Sequence, residues 1–286
     1  MAQVIDGKRV ALECRAALRE RIAEYTPKRG HAPGLGVILV GDDPASQVYV
    51  RNKEKACAKA GIASFHNKLE ENAPQAEVEA IIDKLNADPR VHGILLQLPL
   101  PQHLSEQTLV DRILPEKDVD GIHPVNAGYL ALGRPRFVPC TPRGIMRLIE
   151  ETGREIRGAR AVVVGRSNLV GKPAAQLLLG CHATVTLCHS RTAELAAEVS
   201  RSEIVVAALG RLEFIKGDWI RDGAVVIDVG INRREDGSLG GDVEFKAACE
   251  RAAWITPVPG GVGPMTVAML LENTFEAATR YDPVSR

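Results

Sequence analysis

The chain lacks the signatures of several protein classes at once. Its six cysteines, Cys14, Cys57, Cys140, Cys181, Cys188 and Cys249, form no C-x-x-C pair and sit mostly in apolar runs, so structural, reduced thiols are expected. Seven histidines form no H-x-x-x-H pair and no carboxylate cluster at ligand spacing accompanies them, so no metal is implied. Neither sign of charge is in surplus: Lys plus Arg and Asp plus Glu both total 36. A chain without a basic field has nothing to hold a polyphosphate backbone nonspecifically, and no nucleic-acid partner is expected. No run approaches the ~18 apolar residues that a membrane helix needs, and stretches such as AVVVG and GAVVIDVGI are short and flanked by Gly or Arg. No membrane association is expected. The opening MAQVIDGKRV has a charged pair and no apolar core before a small-residue cleavage site, unlike a secretory signal, so the expected location is cytoplasmic.

What is present is ordinary globular composition, 45% hydrophobic and 25% charged over 286 residues, more length than one small domain needs. Short β-branched runs at 34–41, 91–100, 159–165, 184–189, 204–210 and 224–231 read as buried parallel strands. Amphipathic stretches at 45–60, 76–86, 143–152 and 192–201 lie between them, as crossover helices would. The class is α/β. The segment GRPRFVPCTPRG at 133–144 packs three prolines and two glycines and marks a domain boundary. A last helix near 265–280 follows PVPGGVGP with no strand after it, which suggests that it packs back on the first domain. The expected architecture is two α/β domains around a cleft: residues 1–138, completed by the C-terminal helix at 265–286, and a Rossmann-like parallel-sheet domain at 139–264.

The segment AVVVGRSNLVGKPAAQLLL at 161–179 has the shape of a phosphate-binding turn: a strand, a turn containing Gly165, Arg166, Ser167 and Gly171, then a helix opening near Pro173. Glycines allow backbone close to a pyrophosphate, and the helix start offers free N–H groups and a positive dipole end. The spacing is G-x-x-x-x-x-G, not G-x-G-x-x-G, so a simple strand–helix turn is the alternative. The next strand ends at Ser190 and Arg191, where an NAD-specific fold would carry an Asp or Glu for the ribose hydroxyls. A hydroxyl and a guanidinium there, helped by Arg166, suit a ribose 2′-phosphate and point to NADP. A solvated charge beside a helix is the other explanation of Arg191.

In GDDPASQVYVRNKEKACAKAG at 41–61, Asp43 and Pro44 mark a helix start and Gly61 a stop, so 45–60 is a helix with Tyr49, Lys53 and Cys57 on one face. A lone Tyr-x-x-x-Lys pair is ordinarily a surface contact. Gln97, however, is a polar amide in the apolar run LLQLPLP, near the C-terminal end of a strand, where open α/β sheets bind ligands. PEKDVDGIHP at 115–124 adds Asp118 and Asp120 in an irregular loop, for which an Asp turn is the plain explanation.

Together, Y-V-x-x-K-x-K-A-C at 49–57, LLQLPLP at 95–101, PEKDVDG at 115–121, PCTPRG at 139–144, VGRSxxVGxP at 164–173 and ITPVPGGVGPMT at 255–266 resemble the FolD-type bifunctional methylenetetrahydrofolate dehydrogenase/cyclohydrolases. The resemblance runs essentially the full chain. It implies oxidation of 5,10-methylenetetrahydrofolate with NADP and hydrolysis of the methenyl product to 10-formyltetrahydrofolate, within one-carbon metabolism. A dehydrogenase without cyclohydrolase activity is the alternative, and Lys53 with Gln97 favours the bifunctional form. By matching the motifs, Lys53 takes the proton-shuttling role in hydrolysis. Gln97 would orient it, hydrogen-bonding the amine without pairing with its charge. Tyr49 resembles the ring that stacks on the p-aminobenzoyl group, and Asp120 the carboxylate that grips the pterin. Pro259, Gly260 and Gly261 are expected along the folate and nicotinamide, although a hinge into the last helix explains them too. The resemblance places the Ile231 backbone against the cofactor and brings an expectation of a homodimer. His123 and His189 are expected to be structural or supporting groups.

Overall fold

Valine- and isoleucine-rich runs with no polar interruption favour strands covered on both faces, and all six runs named above contain parallel strands. The structure is a computed structural model and describes residues 1–281, the side chains of residues 44 and 45 excepted. In chain order the elements are β1 (Gln3–Val4), α1 (Gly7–Arg29), β2 (Gly34–Val40), α2 (Pro44–Ala60), β3 (Ala63–Leu69), α3 (Gln75–Ala87), β4 (Gly93–Leu96), α4 (Glu106–Arg112) and α5 (Pro124–Ala131). They continue with α6 (Cys140–Glu150), β5 (Arg160–Val164), α7 (Gly171–Gly180), β6 (Thr184–Cys188), α8 (Leu195–Ser200), β7 (Ile204–Ala207), β8 (Val225–Asp228), β9 (Asn232–Arg233), β10 (Leu239–Gly240), α9 (Phe245–Arg251), β11 (Trp254–Ile255) and α10 (Val262–Tyr281).

The chain divides into two compact units. One joins Met1–Leu12 to Thr141–Thr266; the other joins Glu13–Cys140 to the chain from Val267 onward. The first carries a six-stranded parallel sheet in the order β1-β11-β8-β7-β5-β6, the second a three-stranded parallel sheet in the order β3-β2-β4. Residues 1–12, which composition places with the following hundred, therefore group with the six-stranded sheet. The cause is a pairing distant in sequence: Gln3 aligns with Trp254 and Val4 with Ile255. A two-residue strand has no periodicity to betray it. The 282–286 end of the expected first domain lies outside the described residues.

Local chemistry explains where the elements start and stop. Asp43 accepts the Ser46 N–H at 2.7 Å at the start of α2, and Gly61 closes that helix in the left-handed region at φ 85°. The expected strand at 91–100 is only Gly93–Leu96, because Pro99 and Pro101 have no N–H to give a neighbour. Gln97 still donates its N–H to Ile38 O at 2.9 Å, which continues the ladder one residue further. The edge strand β3 carries Ser64, His66, Asn67 and Lys68, a polar run on which hydrophobic patterning is silent.

The last helix packs within the second unit as expected. Arg21 pairs with Glu272 at 2.8 Å and Tyr25 packs edge-on to Phe275. Asn273, fully buried, donates its side-chain Nδ2 to Val119 O at 2.8 Å and Val138 O at 2.9 Å. Asn273→Leu takes that donor from both carbonyls, Val119 O keeping only the Cys140 thiol at 3.4 Å, and is expected to destabilise the chain by about 1–3 kcal/mol, the cost of a buried polar group left unpaired. A denaturant midpoint equal to that of the parent would contradict this.

Candidate active site

Helix geometry sets the first half of the site. Tyr49, Lys53 and Cys57 follow one another at single-turn spacing along α2. The Tyr49 ring is exposed, Lys53 is half-buried and Cys57 is 1% exposed. Burial pushes the Cys57 thiol up to about 11, so it stays protonated and packs as a small apolar group. Lys53 is the member of that face that carries a half-buried amine.

Gln97 follows directly on β4 and is 8% exposed. Its Nε2 donates to Leu98 O at 2.5 Å, which leaves Oε1 to accept from Lys53 Nζ at 3.0 Å. The amide is thereby held with its oxygen toward the amine. Two residues 44 apart in sequence are joined because β4 lies beside β2, and β2 leads into α2.

Asp120 lies half-buried in a loop whose shape is fixed by its neighbour. Ile94 donates to Lys117 O at 2.7 Å, stitching the loop alongside β4. Asp118, 1% exposed, accepts from Ile122 N at 3.2 Å, His123 N at 2.8 Å and Asn126 Nδ2 at 2.7 Å. Burial pushes the Asp118 carboxyl above the usual carboxylate range, against the pull of these donors. Asp118 is thus a framework group, and Asp120 is the more exposed acid of the pair. His123 takes part in the framework: its Nδ1 accepts the Val125 N–H at 3.0 Å at the start of α5.

The other unit presents a second set of residues. β5 is followed by α7 and β6 on one side, and β7 then pairs on the opposite side of β5, which makes a topological switch point beyond the strand ends. Such a point is where open parallel sheets hold nucleotides. Gly165 and Gly171 flank the turn there. A Cβ on Gly165, at φ 128°, would lie 2.0 Å from Ala208 O, and one on Gly171 would lie 1.9 Å from Gly165 O. The glycine spacing therefore reports closure of the chain on itself, which brings the start of α7 up against the strand end. The Ser167 hydroxyl accepts the Val170 and Gly171 N–H groups at 3.1 and 3.4 Å, while Arg166 and Ser167 are themselves exposed.

At the end of β6, Thr192 Oγ1 accepts His189 N at 2.8 Å and His189 Nδ1 accepts Arg191 N at 3.1 Å. His189 is thus part of the turn, and the turn turns Ser190 and Arg191 to solvent. Ile231, 51% exposed, follows β8, and a Cβ on Gly263 would lie 3.8 Å from its Cδ1. Gly260 and Gly261 are buried and Pro259 is exposed. A tight turn with an exposed Arg166, the opening of a ten-residue helix and an exposed Arg191 at the end of the next strand fit a dinucleotide with a phosphorylated ribose. Among the described residues no group of three His, Cys, Asp or Glu side chains is placed to hold a metal ion, and no helix is long and apolar enough to cross a membrane.

Two residues central to this half have little sequence signal. Asp228 ends the apolar strand VVID, and Asp242 follows the two glycines of GGDVEF; they are 2% and 0% exposed. An acid at the end of a buried strand is the cue that could have found the first.

Known proteins identify the family of the chain. Residues 5–120 match the family model described as tetrahydrofolate dehydrogenase/cyclohydrolase, catalytic domain, and residues 139–282 match that of its NAD(P)-binding domain. The bifunctional protein FolD of Magnetococcus marinus is 57% identical over 280 residues, 98% of each chain, and that of Moorella thermoacetica is 57% identical over 279 residues, 98% of this chain and 99% of its own. Among solved structures, the bifunctional FolD of Campylobacter jejuni superposes with a TM-score of 0.95 at 45% identity, covering 98% of this chain and 99% of that one. The Trypanosoma brucei FolD, complexed with NADP cofactor and inhibitor, gives 0.94 at 43% identity, covering 98% of each chain. With both domain models matched in order and relatives this similar over nearly the whole length, the chain belongs to the tetrahydrofolate dehydrogenase/cyclohydrolase family.

Proposed function

We propose that the chain oxidises 5,10-methylenetetrahydrofolate with NADP and hydrolyses the 5,10-methenyl product to 10-formyltetrahydrofolate. The observation that carries this is the Lys53 amine held 3.0 Å from the Gln97 amide oxygen on the unit that also presents Tyr49 and Asp120. Hydrolysis of the methenyl cation requires a water to lose a proton and a ring nitrogen to gain one. Lys53 moves those protons, and Gln97 aims its Nζ without supplying a countercharge. Tyr49 stacks on the p-aminobenzoyl ring, and Asp120 binds the pterin through its adjacent N3–H and 2-amino donors. Asp120 anchors the substrate and takes no proton in the hydrolysis.

Oxidation needs less from the protein, because the lone pairs of the two flanking nitrogens drive hydride departure from the bridging carbon. NADP, when bound, supplies the hydride acceptor. Gly165, Arg166, Ser167 and Gly171 would hold its diphosphate, Ser190 and Arg191 its 2′-phosphate and the Ile231 backbone its nicotinamide end, while Pro259, Gly260 and Gly261 would line the folate and the nicotinamide. The NADP complex of the Trypanosoma brucei relative supports this assignment, as does the missing acid after β6. The bifunctional names of the relatives favour it over a dehydrogenase alone.

The test supplies methylenetetrahydrofolate with NADP or NAD and follows the methenyl and formyl products together. Sequential appearance of both, faster with NADP, is expected; methenyl that then decays only at the rate in buffer would refute the second activity. Arg191→Ala is expected to raise the KM for NADP by ~10- to 100-fold, the worth of one or two charge-assisted hydrogen bonds, and to leave that for NAD within about twofold. An equal rise for both cofactors would remove Arg191 from the phosphate. The cytoplasmic location belongs to the same proposal and is supported by the free thiols of Cys57, Cys181, Cys188 and Cys249. A homodimer is proposed from the family resemblance, and light scattering at micromolar concentration decides it.

A further inference from the structure

The loops after three neighbouring parallel strands share one buried hydrogen-bond system built on two carboxylates. Asp242 accepts Leu209 N at 2.6 Å and Gly210 N at 2.9 Å on Oδ2, and Arg211 N at 2.8 Å and Asn232 Nδ2 at 2.9 Å on Oδ1. Four donors use the whole capacity of that carboxylate. Its own N–H donates to Asp228 Oδ1 at 2.9 Å, which also accepts Gly230 N at 2.9 Å, while Asp228 Oδ2 accepts Val243 N at 2.9 Å. Asp228 N in turn donates to Thr256 Oγ1 at 2.8 Å, at the root of Pro257–Gly261. Space for the carboxylates is reserved by glycines: a Cβ on Gly230 would meet Asp242 Oδ1 at 2.3 Å, and one on Gly241 would meet Asp228 Oδ2 at 1.9 Å.

The place of this system in the fold gives it a role. Leu209–Arg211 leaves the C-terminal end of β7, Gly230–Asn232 that of β8 and Pro257–Gly261 that of β11, and these strands are adjacent in the sheet. The first of these loops runs on from Ala208, whose carbonyl oxygen would lie 2.0 Å from a Cβ on Gly165, so it starts against the turn at the switch point. Polar backbone at strand ends would otherwise be free to hydrate and move. Two buried acids gather it instead, Asp242 joining the loops after β7 and β8, and Asp228 linking Asp242 to the root of the loop after β11.

We propose that Asp242, seconded by Asp228, is a positioning residue for the dinucleotide: it holds the loops after β7 and β8 at the height where the nicotinamide half of the cofactor lies. Neither acid touches the reacting atoms. The inference rests on NADP being the cofactor, and it adds residues that set how tightly and in what pose the nicotinamide half is held.

The test uses the full chain and two readouts. Affinity for NADP is measured by titration calorimetry, and hydrolysis of methenyltetrahydrofolate is measured without cofactor. Asp242→Asn places an amide N–H₂ against donors that need an acceptor, and is expected to weaken NADP binding by ~30-fold, the loss of one or two charge-assisted bonds with the loop shift that follows. Hydrolysis in the absence of cofactor, carried by Lys53, should stay within about twofold of the parent. NADP affinity within twofold of the parent overturns the proposal, and so does an equal fractional loss of affinity and hydrolysis in a variant that stays folded, which would mean that the carboxylate supports the whole fold and not the cofactor loops. If Asp242→Asn does not fold, Asn232→Ala decides: it keeps the carboxylate, removes one donor and is expected to weaken NADP by ~3- to 10-fold, whereas an unchanged affinity refutes the idea. A parent chain that binds no NADP would instead refute the cofactor assignment itself.

Discussion

Lys53→Met is expected to slow hydrolysis of methenyltetrahydrofolate by ~100- to 10,000-fold, the usual worth of a positioned proton-transfer group. Methionine keeps the length and apolar stem of the side chain, and Cys57 one turn on remains buried beneath it, so α2 should be undisturbed. What is lost is the amine that Gln97 Oε1 holds at 3.0 Å. Dehydrogenation should persist at a reduced rate, because the substrate nitrogens drive hydride departure and no proton transfer by Lys53 is needed for that step. Paired initial rates, one for methylene oxidation and one for methenyl hydrolysis, check this. Equal losses in both would mean that the lysine serves substrate binding alone.

Gly171→Ala is expected to act on the other unit and in the opposite sense. The added Cβ would lie 1.9 Å from Gly165 O, 2.5 Å from Gly165 C and 2.9 Å from Arg166 N, all backbone atoms that no side-chain rotation can relieve. The turn must open. Overpacking against backbone costs typically 1–3 kcal/mol and occasionally more, so a loss of roughly 3 kcal/mol of stability is expected. A displacement on the order of 1 Å at a ligand-holding turn is worth ~100-fold in catalytic efficiency, so kcat/KM for NADP should fall by about that factor. Methenyl hydrolysis at a temperature where the variant stays folded should change little. Unaltered NADP kinetics would show that the turn does not carry the cofactor.

The two variants separate what the sequence displays from what it hides. α2 was legible because its signals are local: Asp43 and Pro44 at one end, Gly61 at the other, and Tyr49 and Lys53 one turn apart. The strands at 34–40 and 160–164 were legible because parallel strands buried on both faces are continuously apolar. The glycines of the turn were visible, yet their reason was not, since Gly171 faces the oxygen of Gly165 and so shapes the turn as well as leaving room for an anion. Hidden altogether were β1, whose partner Trp254 lies some 250 residues away, and the polar edge strand β3. Asp242 was hidden for another cause, and Asp228 showed only as an acid ending an apolar strand. An acid in a sequence reads as surface charge, and only the fold shows that seven hydrogen bonds from loop N–H groups and one amide make these two interior.

The juxtaposition of Lys53 and Gln97 is the least local feature of all. Each residue is unremarkable where it stands, a lysine on an amphipathic helix and a glutamine at a strand end. Their meeting depends on β2 pairing with β4, and the amide orientation on the Leu98 carbonyl, which takes the Nε2 donor and leaves the oxygen for the amine. On that contact rests the proposed division of labour, with proton transfer on the unit of the three-stranded sheet and hydride acceptance on that of the six-stranded one. Its most direct test gives the purified chain methenyltetrahydrofolate without any nucleotide and follows the loss of the methenyl absorbance. Hydrolysis well above the rate in buffer, abolished in Lys53→Met, is the expected result; a rate no greater than that in buffer would contradict the assignment of cyclohydrolase activity to Lys53.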